Sequence, residues 1–115
     1  MRDLHHPARE DIDLPVVLHA LSDPVRLGIV GTLACEGEQP CGGLNAPVAR
    51  STLSHHLKVL REAGVTLTRV RGTQRLISLR EADLEARFGG LLASVLSASR
   101  AAARRADRER ASTAA

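Results

Sequence analysis

The stretch from Arg50 to Gly64, RSTLSHHLKVLREAG, admits little besides one amphipathic helix with two unlike faces. Leu53, Leu57 and Leu60 recur at i, i+4 and i+7, which is one stripe of an α-helix. Gly64 stands where a left-handed residue stops such a helix. The other face carries Ser51, Thr52, Ser54, His55 and Lys58, led by Arg50. Short polar and cationic side chains can approach base edges and phosphates. The stretch is therefore either a helix that reads DNA or an ordinary surface helix with a polar face. Its neighbours decide between them.

After Gly64 the period changes. Val65 to Val70 alternates and is β-branched, Arg71-Gly72-Thr73 is a turn, and Gln74 to Leu79 alternates again. That pattern predicts a β-hairpin with Arg69, Arg71 and Arg75 at or near its tip. A basic helix joined directly to a basic hairpin is the order of a winged helix-turn-helix. There the helix enters the major groove and the hairpin meets the backbone or minor groove beside it. The charge distribution agrees. Residues 1–49 carry −4, residues 50–80 carry +6 and residues 81–115 carry +1, within a net +3. A positive field confined to one segment suits a polyanion.

The rest of the chain supplies helices. Asp13 is expected to cap a first helix with Pro15 in its first turn and an end near Leu21. Asp23 and Pro24 start a second, apolar on more than one side and so expected to be buried, which runs out by Cys35 to Gly37. Gly42, Gly43, Pro40 and Pro47 leave room for only a turn of helix around Gly43 to Ala46. A last helix begins at Glu81 to Asp83 and carries a continuous apolar stripe through Leu96. The fold class expected is mainly α with a β-hairpin: a winged helix-turn-helix of about five helices and a two-stranded wing. Residues 1–12 are expected to form a flexible arm, residues 13–100 the DNA-binding and dimerisation domain, and residues 101–115 a frayed tail. With Phe88 as the only aromatic in 115 residues, the core must be aliphatic and modest, and a dimer would bury more. No apolar run approaches the ~20 residues that span a bilayer, no signal peptide is visible, and two cysteines without framework spacing suit a reducing compartment. A cytoplasmic protein with no membrane partner is expected.

The runs LSDPVRLGIV, STLSHHLKVLREAGV and RGTQRLISL together resemble the ArsR/SmtB family of small bacterial transcriptional regulators, over roughly residues 14–96. The resemblance implies a homodimer on double-stranded DNA, with two reading helices on an imperfect palindrome. It implies a dimer interface from the first and last helices, here Leu14, Val17, Leu18, Leu84, Phe88, Leu91, Leu92 and Val95. The chain departs from the family in three places. The segment CGGLNAPVA is short, so the leading helix of the motif should be stunted. Ala49 stands where a capping serine often sits, leaving Ser51 to cap one turn later. Neither a Cys-x-Cys pair at the leading helix nor a histidine on the final helix is present, so neither familiar metal site carries over.

Three features could sense an effector. Asp3, His5, His6, Glu10, Asp11, Asp13 and His19 form an N-terminal group, and imidazole with carboxylate suits zinc, nickel or cobalt. His5, His6 and His19 are its candidate ligands for a regulatory nickel or zinc ion; the alternative is a solvated acidic arm with chance histidines. No cofactor is expected to be needed for folding. Cys35 and Cys41 are either a redox pair, donors of one thiolate each, or buried inert thiols, and Cys41 is the better placed. His55 and His56 point about 100° apart on a helix and cannot chelate one ion well; His55 belongs with the DNA face and His56 with the packing. Enzymatic function is not expected, because the chain has no glycine-rich phosphate loop, HExxH or nucleophile elbow. The competing reading is a metal-binding or protein-interaction module that uses the winged helix as a dimer scaffold.

Overall fold

The computed structural model describes residues 4–114. Their order is a 3₁₀ turn at Arg9–Asp11, α1 (Leu14–Ala20), α2 (Pro24–Glu36), β1 (Gln39–Pro40), a 3₁₀ turn at Cys41–Gly43, α3 (Arg50–Ala63), β2 (Thr66–Arg71), β3 (Gln74–Leu79), α4 (Glu81–Arg87) and α5 (Leu91–Ala114). The sheet runs β1-β3-β2 and is antiparallel throughout. The expected two-stranded wing thus gains a third, two-residue strand, with Gln39 opposite Ile77 and Pro40 opposite Leu76.

Local chemistry explains most boundaries. Asp23 accepts a hydrogen bond from the Arg26 amide, with Pro24 at the first helical position, so α2 starts where expected. That bond, above all, holds the Asp23 carboxyl below its usual range. The helix α3 ends on Gly64 at φ 87°, with the Gly64 amide donating to the Arg61 carbonyl and the Val65 amide to the Leu60 carbonyl. This pair of bonds closes the helix and needs a residue without a Cβ. Two capping expectations fail. Asp13 precedes α1 without a side-chain cap, and α3 starts after an uncapped Ala49, with Ser51 already inside the helix.

The approach to α3 is stunted, but differently from expectation. Its one turn spans Cys41–Gly43 rather than Gly43 to Ala46. Leu44 drops into the core and Asn45 takes φ 50°, which ends the turn early. The last helix is also corrected, for it is two helices. Gly90 at φ 83° breaks it, and the apolar stripe continues across the break because α4 and α5 share one core. Beyond residue 100, where fraying was expected, α5 runs on as helix to Ala114, its surface mostly exposed.

The described part of the N-terminal arm is laid against the domain, because Ile12 enters the core at 1% exposure and arginines collect the carbonyls of Pro7 and Ile12. Arg80 donates to Pro7 O (2.8 Å), Arg87 to Ile12 O (2.7 Å) and Arg9 to Asp83 (2.7 Å). His6 Nε2 accepts from the Thr68 amide at 3.0 Å. Asp83 receives Arg80 as well, and these two guanidinium groups hold its carboxyl below the ordinary value.

Candidate nucleic-acid interface

The helix α3 presents Arg50, Ser51, Thr52, Ser54, His55 and Lys58 to solvent and turns Leu57, Leu60 and Ala63 inward. At about 100° per residue, Arg50, Ser54, Lys58, Ser51 and His55 fall within roughly 140° of the helix circumference. The amphipathic pattern thus separates a polar arc from the packed one. His56 belongs to the packed side, 8% exposed, as its place between Leu53 and Leu60 led us to expect.

The hairpin divides its arginines between two faces. Arg75 pairs in register with Val70, on the face that also carries Thr68 and Ile77. This puts it over α3, where Arg75, Thr73, Arg50, Leu53, Ser54 and Cys41 line a groove of about 580 Å³. Arg69 and Arg71 alternate onto the opposite face. Arg71 flanks the Gly72-Thr73 turn. Arg69 lies further back, and Glu38 takes both its Nη2 (2.8 Å) and its Nε (3.4 Å). The guanidinium lowers the Glu38 carboxyl, and the carboxylate raises Arg69 in return. Arg75 and Arg71 are therefore the wing cations without such a pair among the described contacts.

The effector candidates fare unevenly. Among the described residues no group of three or more histidine, cysteine or acidic side chains gathers as a metal site. His5, His6 and His19 are not brought together, and the lone pair of His6 is spent on Thr68. Asp3 lies outside the described residues. Cys35 is exposed at the end of α2, against the inert buried alternative, while Cys41 is half-buried in the groove beside α3; both are free.

Of the apolar residues assigned to a dimer face, Val17 and Leu84 are corrected. Both are buried in this chain's own core, since each sits on the inward side of a seven-residue helix. Leu14 (39% exposed) and Leu18 (45%) do face outward, and Val16 (47%), which the sequence did not single out, joins them. The run LPVVL is apolar on both sides, so periodicity alone could not choose between its valines. Phe88, Leu91, Leu92 and Val95 are half-buried at the edge of the core.

Comparison with known proteins gives this geometry its family. Residues 21–70 match a helix-turn-helix domain family. The HTH-type transcriptional regulator YceK of Bacillus subtilis (strain 168) is 39% identical over 79 residues, covering 66% of this chain and 79% of the relative. The arsenical resistance operon repressor of Staphylococcus xylosus is 34% identical over 74 residues, 64% of this chain and 71% of the repressor. This chain belongs to the ArsR/SmtB family. The crystal structure of the transcriptional repressor BigR from Xylella fastidiosa superposes with a TM-score of 0.54 at 38% identity, over 64% of this chain and 84% of BigR. A crystal structure of another ArsR family regulator, 23% identical with a TM-score of 0.58 over 64% of this chain and 81% of that one, shares the fold. As an ArsR/SmtB protein, the chain is a transcriptional regulator with a helix-turn-helix DNA-binding domain. Among its described residues no single helix is long and apolar enough to cross a membrane.

Two charged residues that bear on the interface of this ArsR/SmtB chain were not singled out from its sequence. One is Glu38 as the partner of Arg69, which depends on a strand register that local pattern does not reveal. The other is Arg26, 7% exposed and bonded to His56. Its signal was present: a lone cation in a helix apolar on several sides.

Proposed function

We propose that the chain acts in the cytoplasm as a homodimer that represses transcription by binding a palindromic operator. The observation that carries this is the exposed polar arc of α3, flanked across a groove by Arg75 of the wing. In this reading Ser51, Ser54 and His55 contact base edges, Arg50 and Lys58 contact phosphate or guanine, and Thr52, exposed but outside the arc, has less support as a base contact. Arg71 and Arg75 anchor the wing on the backbone, and Arg69 contributes less because Glu38 offsets it. Outward Leu14, Val16 and Leu18 with Leu91, Leu92 and Val95 supply the apolar area a dimer needs. Repression is supported by the names of two relatives, the arsenical resistance operon repressor and the transcriptional repressor BigR. For control, Cys41 has the better support, since it borders the groove. A nickel or zinc ion on His5, His6 and His19 has less, since His6 is engaged elsewhere.

The test is a gel shift with the DNA upstream of the chain's own gene, over a salt series, alongside sedimentation of the free protein. A dimer whose log affinity falls linearly with log salt, and which prefers that DNA to random duplex, is expected. A folded protein that retards no duplex at low salt overturns the reading.

A further inference from the structure

Arg26 is a buried cation whose hydrogen-bonding partners are two carbonyls and an imidazole. Its Nε donates to Ala20 O at 2.7 Å and its Nη2 to His19 O at 3.4 Å. Both carbonyls lie in the last turn of α1, and His19 O also accepts from the Ser22 amide (3.1 Å) and hydroxyl (2.6 Å). Its Nη1 lies 3.0 Å from His56 Nδ1, on α3. A guanidinium can only donate, so Nδ1 accepts and the ring proton sits on Nε2. Asp23 stands 3.9 Å from that same Nδ1, though its closer bond is to the Arg26 amide. One side chain on α2 therefore grips the end of α1 and the middle of α3 together.

The apolar contacts of Leu57 and Leu60 decide which side of α3 faces the core, but apolar packing carries no bond direction and leaves the finer roll of the helix to directional contacts. The bond to His56 is directional. It acts next to His55, so it sets the roll of the polar arc relative to α1. And α1 is the helix that exposes Leu14 and Leu18 one turn apart, with Val16 exposed on another side.

We propose that Arg26 is a positioning residue. Through His56 it fixes α3 relative to α1, and so sets the separation of the two reading helices and the half-site spacing that the dimer accepts. This rests on the dimeric DNA-binding reading above. In such dimers half-site spacing is a consequence of protein geometry, and one base pair changes both the distance and the rotation between half-sites.

Lysine keeps the charge of Arg26 but not the planar fork that spans three acceptors. His56→Leu removes the acceptor. His56→Asn keeps one, since an asparagine side chain places its amide where Cγ–Nδ1 stands. The probes are the palindrome that the unaltered protein selects from a randomised pool, and the same duplex with one central base pair added or removed. The unaltered protein and His56→Asn should bind the altered duplexes about tenfold more weakly. Arg26→Lys and His56→Leu should discriminate less than about threefold, with dichroism and sedimentation confirming folded dimers. If one of these two fails to fold, the other carries the test against His56→Asn. A folded, dimeric Arg26→Lys or His56→Leu with full spacing discrimination overturns the proposal. An unaltered protein that selects no palindrome, or that is monomeric, overturns instead the reading beneath it.

Discussion

Replacing Gly64 with alanine tests how the reading helix is stopped and what lies over the stop. The backbone there has φ 87°, and an added Cβ would lie 2.6 Å from Ile12 Cγ1 and 2.9 Å from its Cδ1. Two costs add. A non-glycine residue in the left-handed region loses roughly 1–2 kcal/mol, and overpacking a closed core costs about 1–3 kcal/mol. Ile12 cannot swing away cheaply, being 1% exposed, with its carbonyl held by Arg87. Gly64→Ala should therefore destabilise the protein by about 2–5 kcal/mol, with a fall in Tm on the order of 10 °C. Urea and thermal unfolding monitored by far-UV dichroism, at one fixed protein concentration, would measure it. The clash and backbone costs separate in a double-mutant cycle. Ile12→Ala removes both clashing atoms at its own cavity cost of about 2–5 kcal/mol. The double variant should then be less destabilised than the sum of the singles by the clash share, about 1–3 kcal/mol. A Gly64→Ala protein within about 0.5 kcal/mol of the parent, or strict additivity with Ile12→Ala, refutes the reasoning.

Other perturbations address the arm, the wing and the tail. Burial, then the facing Arg61 and Arg80 and finally His5, holds the His6 imidazole below its ordinary 6.5. The folded arm thus binds fewer protons than the unfolded one, so the contribution of His6 is complete above 6.5 and lost as pH falls through the lowered folded value. The stability difference between the parent and His6→Ala should shrink from about pH 7.5 to about pH 5, and a constant difference would count against the arm. Glu38→Gln releases Arg69, so non-specific duplex affinity should rise and the log–log salt slope should steepen by about one; an unchanged slope means that Arg69 reaches no phosphate. Deleting residues 101–115, exposed except for Ala106 as far as residue 113, should move Tm by less than about 3 °C. A fall on the order of 10 °C would show that this stretch of α5 is packed in the assembled protein.

What was readable in the chain was what local chemistry decides. Asp23-Pro24 and Gly64 carry their boundary signals on the residue itself, and the alternation through residues 65–79 gives the hairpin to within a residue. The polar arc of α3 was legible for the same reason, since one period covers it. What escaped depends on distant partners. Ile12 is one apolar side chain in a polar stretch, and nothing nearby says that it meets Gly64, far along the chain. The two residues of β1 carry no pattern, and only Leu76 and Ile77 make them a strand. Gly89-Gly90 marked a weak turn, but the stripe keeps its phase across it, so one helix was expected where two stand. Arg26 makes sense inside only with His56 beside it, although the packing of His56 itself was legible from its place between Leu53 and Leu60.

The strand order leaves β2 at an open side of the sheet, and the Thr68 amide there is turned away from β3. An uncovered row of amides and carbonyls is a template for another chain. His6 occupies that amide, and Pro7 and Arg9 are tied down beside it by Arg80 and Asp83. The short N-terminal segment therefore covers, at Thr68, part of an edge that could otherwise pair with a second chain. Cleavage between Ala8 and Ile12 is expected to raise self-association, read by light scattering, and an unchanged signal would count against this role for the segment.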